Sequence, residues 1–214
     1  MKIFLDTANI KSIKFYNDMG LIDGVTTNPS LLAKEKDNPH KIMKSISNMM
    51  DKGDVSLEVI GTTSSEMIKE GRQLKQYGDN VVVKCPMTAD GLIACKKLTS
   101  ENIPVNITLI FSSNQAILAA KSGAKYISPF IGRLDDIGND GINIIGEIKQ
   151  IFQNYDYNTQ ILVASVRHPM HVIQSAKIGA DAITMPPKIL DKMIQHNLTT
   201  IGLNNFLSDW KKIK

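Results

Sequence analysis

Short apolar runs recur along this chain at intervals too long for hairpins, and each is followed by a stretch with helical periodicity. The β-type runs are residues 2–6, 24–27, 55–60, 80–84, 105–109, 126–130, 160–165 and 181–185. The helical stretches lie near residues 10–19, 39–50, 64–77, 89–100, 112–122, 142–152, 169–178 and 187–196. Strict alternation of this kind predicts a single (β/α)8 barrel domain over residues 1–214 with little decoration. The competing architecture is an open doubly wound sheet, but no Gly-x-Gly-x-x-Gly turn follows the first run. A last helical segment, 204–214, falls outside the eightfold pattern as an added C-terminal helix. Its Phe206, Leu207 and Trp210 form an apolar stripe with no ninth strand to cover.

Alternation within each run separates residues facing the barrel interior from those facing the helices. Asp6 shares a face with Phe4, opposite Ile3 and Leu5, and Glu58 lies between outward Leu57 and Val59. Lys84 shares a face with Val82, while Asn106 and Thr108 oppose Ile107 and Leu109. Ser128 and Phe130 oppose Ile127; Ser165 and Arg167 fall on one side with Val166 on the other. Every run examined thus sends a polar or charged residue inward near its C-terminal end, which is where active sites form in this fold. Singly, these residues have bland uses. Asp6 suits a helix cap near Ala8, and Asn28 before Pro29 reads as an N-cap. Thr26 and Thr27 suit a strand, Phe130 a core, and Glu58 the neutralisation of Lys84. Arg133 and Arg167 suit solvated loops, and Cys85 a small buried apolar site. A barrel without chemistry has little reason to accept so much interior polarity together.

Composition narrows the class. The 214 residues are 43% hydrophobic, enough for a sizeable core, and no run is long and apolar enough to span a bilayer. The N-terminal run carries Asp6 and reads as a strand, not a signal peptide. Two cysteines, Cys85 and Cys95, give neither a disulfide framework nor metal-ligand spacing, so a reducing cytoplasm is expected. The formal charge of +4 comes from dispersed lysines without the basic run of a nucleic-acid binder, and suits small anionic substrates. No His pair or acidic cluster has ligand spacing, so no metal is expected.

Lys84 carries the chemistry. It ends the run Val81-Val82-Val83 and precedes Cys85-Pro86, where a chain building only a core would not put a cation. An ammonium in such surroundings loses hydration, which makes the nucleophilic amine more accessible to a carbonyl. An imine with a ketone is an electron sink that lets the adjacent carbon–carbon bond break, so no cofactor is needed. Asp6 fits the acid/base at the cleaving hydroxyl, and Glu58 fits a role in orienting water. Asn28, Asn106 and Thr108 offer neutral hydrogen bonds to sugar hydroxyls. Arg133 and Arg167, with Ser165, offer charge-assisted contacts to a phosphate.

The segments Leu5-Asp6-Thr7-Ala8-Asn9, Thr26-Thr27-Asn28-Pro29, Val83-Lys84-Cys85-Pro86, Asn106-Ile107-Thr108, Ser128-Pro129-Phe130-Ile131-Gly132-Arg133 and Ala164-Ser165-Val166-Arg167 resemble the transaldolase family. The likeness spans nearly the whole chain and is strongest to the small subfamily that includes the fructose-6-phosphate aldolases. The resemblance implies that Lys84 forms a Schiff base, Asp6 is the acid/base and Glu58 acts on the catalytic water. It implies substrate contacts from Thr26, Asn28, Asn106, Thr108, Ser128 and Phe130, and phosphate contacts from Arg133, Ser165 and Arg167. The aldolase branch carries glutamine at the place of Glu58 and tyrosine at the place of Phe130, so this chain resembles the transferases. The implied reaction moves a dihydroxyacetone unit from a ketose phosphate to an aldose phosphate. The alternatives are an aldolase of the same subfamily, a metal-dependent aldolase, and a silent barrel that binds sugar phosphates as a sensor or scaffold. The subfamily also implies a homo-oligomer, a pentamer or a pair of pentamers.

Overall fold

The computed structural model describes residues 1–213. From the N-terminus the elements are β1 (Lys2–Asp6), α1 (Ile10–Asp18), β2 (Gly24–Thr26), α2 (Pro29–Leu32), α3 (Pro39–Met49), β3 (Asp54–Glu58), α4 (Ser64–Lys75), β4 (Val81–Pro86) and α5 (Ala89–Ser100). The second half runs β5 (Val105–Ile110), α6 (Ser113–Lys121), β6 (Tyr126–Pro129), α7 (Ile131–Asp135), α8 (Gly141–Asn154), β7 (Gln160–Val163), α9 (Pro169–Ile178), β8 (Ala182–Met185), α10 (Pro187–Ile194) and α11 (Asn197–Ile213). All strand neighbours are parallel, and β8 closes on β1, giving the (β/α)8 barrel expected from the alternation.

The two faces of the strands have different fates. Phe4, Val82, Tyr126, Leu162 and Ala182 form a small apolar plug inside the barrel, where the Phe4 and Tyr126 rings meet edge to face at 5.8 Å. The opposite parity, including Leu5, Leu57, Ile107, Ile127 and Ile161, joins the larger core between sheet and helices. Each of these five is fully buried, so truncating one to alanine costs roughly 2–5 kcal/mol. Helix starts follow short polar residues: Asn9, Asn28, Asn38, Thr63, Thr88 and Ser112 each accept a backbone N–H from the first turn of the helix they precede. Among the described residues, no helix is long and apolar enough to cross a membrane.

Three local departures from simple alternation shape the mouth of the barrel. In β5, Leu109 takes a left-handed φ of 60° and the pairing with β6 shifts between Ile107 and Ile110. Ile110, not Leu109, therefore joins the helix-facing core. β7 ends at Val163 with Leu162 facing inward, so continued alternation would send Ser165 away from the interior. The parity reading of Ser165 and Arg167 is thus corrected: both lie past the strand, and a φ of 61° at Ser165 breaks the alternation. Phe130 also lies past its strand. It precedes α7, a short helix absent from the periodicity, and bridges to Ala164. The expected tail 204–214 is the second part of the longer α11; its last residue, Lys214, lies outside the described residues. No residue of α11 within that range is buried, and Leu198, Phe206 and Trp210 stand exposed.

Candidate active site

The polar inward residues collect at the C-terminal end of the barrel, around a cleft of about 330 Å³. Asp6, Thr26, Asn28, Lys84, Ser128, Phe130, Arg133, Ser165 and Arg167 line it, so most of the sequence-derived set meets in one place. A larger hollow of about 520 Å³ opens at the opposite end, where Lys125 pairs with Asp54 at 2.7 Å. That end of a barrel serves stability, and none of the candidate residues reaches it.

Register explains the floor of the cleft. Glu58 of β3, Lys84 of β4 and Asn106 of β5 sit side by side across three adjacent strands. Lys84 is 5% exposed, yet its Nζ lies 3.0 Å from Glu58 Oε2 and donates to the Thr27 carbonyl at 3.2 Å. A buried ammonium needs such partners, because loss of hydration is otherwise uncompensated. Thr26 donates to Asp6 Oδ1 at 2.8 Å and shares a 2.6 Å hydrogen bond with Thr184 of β8. Burial pushes the Asp6 carboxyl above its ordinary value of 3.8, against the lowering effects of the Lys84 charge, the Thr26 hydroxyl and the Lys34 charge. Asp6 is not a helix cap, since Asn9 caps α1. Asn28 is one: its Oδ1 accepts from Leu31 N–H at 2.9 Å while the residue also faces the cleft.

Not every candidate reaches the opening. Asn106 is fully buried, with its amide donating to Ser56 Oγ at 3.3 Å and its carbonyl accepting from Ser128 Oγ at 2.9 Å. Ser128 presents the polar atom to the cleft, and Asn106 orients it from behind. Thr108 is equally deep, and its hydroxyl has no hydrogen-bond partner among the described residues. Glu58, beside Lys84 on the neighbouring strand, does not line the open cleft.

The rim is cationic and aromatic. Arg133 stacks over the Phe130 ring at 5.1 Å, and Phe130 meets Phe111 edge to face at 5.9 Å. Arg167 Nη2 donates to Asp136 Oδ2 at 2.8 Å, which anchors its guanidinium beside α7. Gly132 brings α7 against the turn after β7: its N–H donates to the Ser165 carbonyl at 3.1 Å. A Cβ at Gly132 would run into that carbonyl and lie 2.6 Å from Arg167 Cγ, so only glycine permits the approach.

Sequence reasoning missed Thr184, Lys34, Phe111 and Asp136. Thr184 carries a legible signal, being the polar inward residue of the eighth run; Lys34 and Asp136 lie in connecting segments where no periodicity reports direction. Cys85 is buried against the helix layer as expected, and burial pushes its thiol up to about 12, leaving no reactive thiolate. Among the described residues, no group of three or more His, Cys, Asp or Glu side chains is placed to hold a metal ion.

A buried amine beside two carboxylates, with neutral hydrogen-bonding groups around it and arginines at the rim, is equipped for imine chemistry on a polyhydroxylated, anionic carbonyl compound. Among solved structures, a thiamine phosphate pyrophosphorylase from Pyrococcus furiosus superposes with a TM-score of 0.60 at 14% identity, covering 86% of this chain and 85% of that one, which shows the shared fold alone. A probable transaldolase of Nitrosopumilus maritimus is 69% identical over all of this chain and 96% of its own length. A probable transaldolase of Aquifex aeolicus is 54% identical, over 100% and 98% of the two chains. The family model described as transaldolase/fructose-6-phosphate aldolase matches residues 3–214, and with these relatives it shows that the chain belongs to that family.

Proposed function

We propose that this protein is a transaldolase that moves a dihydroxyacetone unit from a ketose phosphate to an aldose phosphate through a Schiff base at Lys84. The observation that carries the reading is the position of Lys84 Nζ inside the barrel, paired with Glu58 and opening on the cleft that holds Asp6. In this mechanism the free amine attacks the C2 carbonyl of the donor, and the carbinolamine loses water with Glu58 moving the proton. Asp6 then takes the proton of the C4 hydroxyl. The C3–C4 bond breaks, its electrons flow to the iminium nitrogen, and the shortened aldehyde leaves a neutral enamine on Lys84. An acceptor aldehyde is attacked by that enamine, Asp6 returns its proton to the new alkoxide, and hydrolysis frees the product. An Asp6 carboxyl whose proton affinity is raised by burial suits this two-way traffic.

Phe130 bears on the choice between transfer and cleavage. Its ring, packed between Phe111 and Arg133, brings no hydroxyl to protonate the enamine or to position water. The enamine then persists until an acceptor arrives. Arg133, Ser165 and Arg167 supply the phosphate contacts, and Thr26, Asn28 and Ser128 the contacts to hydroxyls. Asn106 and Thr108 act from beneath. The exposed apolar stripe of α11 supports a homo-oligomer in which a second copy covers it, and light scattering in solution measures the assembly.

The test is borohydride trapping with a ketose phosphate, read by peptide mass. A reduced adduct on Lys84 is expected; an adduct elsewhere, or none, refutes the assignment. An assay without acceptor aldehyde separates transfer from the aldolase reading, which requires steady cleavage under that condition.

A further inference from the structure

The turn that carries Ser165 and Arg167 is held from behind by a histidine outside the proposed chemistry. His171, in the first turn of α9, is 4% exposed. Its Nδ1 accepts the backbone N–H of Arg167 at 3.3 Å, and its Nε2 lies 3.0 Å from Asp135 Oδ2 on α7. Only one neutral tautomer satisfies both contacts: the proton sits on Nε2 and is donated to Asp135, leaving the Nδ1 lone pair for Arg167. Asp135 is itself fixed, since its Oδ1 accepts from Gly141 N–H at the start of α8 at 2.9 Å. One imidazole thus links α7, α8 and α9 to the peptide that positions the Arg167 side chain. That turn includes the left-handed Ser165, a conformation needing outside support.

We propose that His171 is a positioning residue for phosphate recognition: its neutral ring, wedged between Asp135 and the Arg167 peptide, holds the Ser165–Arg167 turn in its anion-binding shape. The inference rests on the reading that this turn binds the substrate phosphate. Protonation would place a second N–H on Nδ1, facing the N–H of Arg167, so the acceptor is lost and the turn is released. The groups facing the ring set when this happens. Burial, the His168 ring at 3.8 Å between centroids and the Arg167 charge disfavour the cation, whereas Asp135 favours it. The balance lowers the His171 pKa from 6.5, so the ring is neutral at physiological pH and the turn is intact there.

The experiment compares KM for a phosphorylated ketose across acid pH in the wild type and in His171→Asn. The asparagine amide retains an acceptor near the Nδ1 position but does not titrate. Titration of the substrate's own phosphate affects both proteins equally. The wild-type KM is expected to rise along an additional acid limb below pH 6.5 that the variant lacks; superimposable profiles overturn the proposal. His171→Leu, which removes the acceptor, is expected to raise KM at neutral pH roughly 5- to 30-fold, the effect of one buried hydrogen bond. Its kcat, and its borohydride trapping with unphosphorylated dihydroxyacetone, should stay essentially unchanged. Equal losses in all three readouts would mean a merely structural role and overturn the proposal. If the leucine variant does not fold, the two pH profiles decide. Loss of the Lys84 adduct in the wild type would instead refute the reaction, so the two failures are distinguishable.

Discussion

Lys84→Met removes the amine while keeping most of the side-chain volume, so it isolates charge and chemistry from packing. In the folded protein Lys84 Nζ faces Glu58 at 3.0 Å and the Thr27 carbonyl at 3.2 Å, and its charge lowers the Asp6 proton affinity. Methionine leaves the half-buried Glu58 carboxylate without its counter-ion. Breaking one side of a buried pair costs about 3–5 kcal/mol. Glu58 keeps 16% of its side-chain surface, so the low end, about 3 kcal/mol, applies. For a domain of this size that lowers Tm by roughly 6–12 °C. The pH dependence has a definite sign. Removing the cation raises the Asp6 pKa further, and a carboxyl with a raised folded pKa carries no penalty below its ordinary value of 3.8. The penalty sets in as pH rises above 3.8 and is complete once pH passes the folded value. The Tm gap between wild type and variant should therefore be smaller near pH 4 than at pH 7, measured by calorimetry in matched buffers. Trapping with a ketose phosphate should yield no adduct in the variant. A retained adduct, or a Tm gap independent of pH, would refute the account of the site.

Asp6→Asn is expected to lower turnover by about 10²- to 10⁴-fold while Lys84 still traps the donor, because proton transfer and not imine formation is lost. The same variant should be no less stable at pH 7, since burial disfavours the native carboxylate; calorimetry checks this. Phe130→Tyr should raise acceptor-independent cleavage relative to transfer, measured as aldehyde released without acceptor against product formed with it; unchanged partitioning would count against the proposed role of that ring. Gly132→Ala drives a methyl into the Ser165 carbonyl and the Arg167 side chain, so KM for phosphorylated substrates should rise, with a destabilisation of roughly 1–3 kcal/mol seen in a denaturant melt.

The chain's own pattern determined the architecture and the floor of the site. Strand alternation depends only on local backbone geometry, so Phe4 and Asp6, Val82 and Lys84, and Tyr126 and Ser128 reveal their common interior face without knowledge of any partner strand. Short polar residues before helices are equally local, which is why Asn28 reads as a cap and is one. Tertiary structure alone decided what happens once the strands end. Left-handed turns at Leu109 and Ser165 broke the alternation, and whether a non-glycine residue adopts that conformation depends on the contacts that hold it. Only packing showed that Asn106 supports Ser128 from below, that Asp136 anchors Arg167, and that Lys34 faces Asp6 from a connecting segment. Those relations join residues distant in sequence, and the physical quantity that sets them, distance through space, has no periodic trace along the chain.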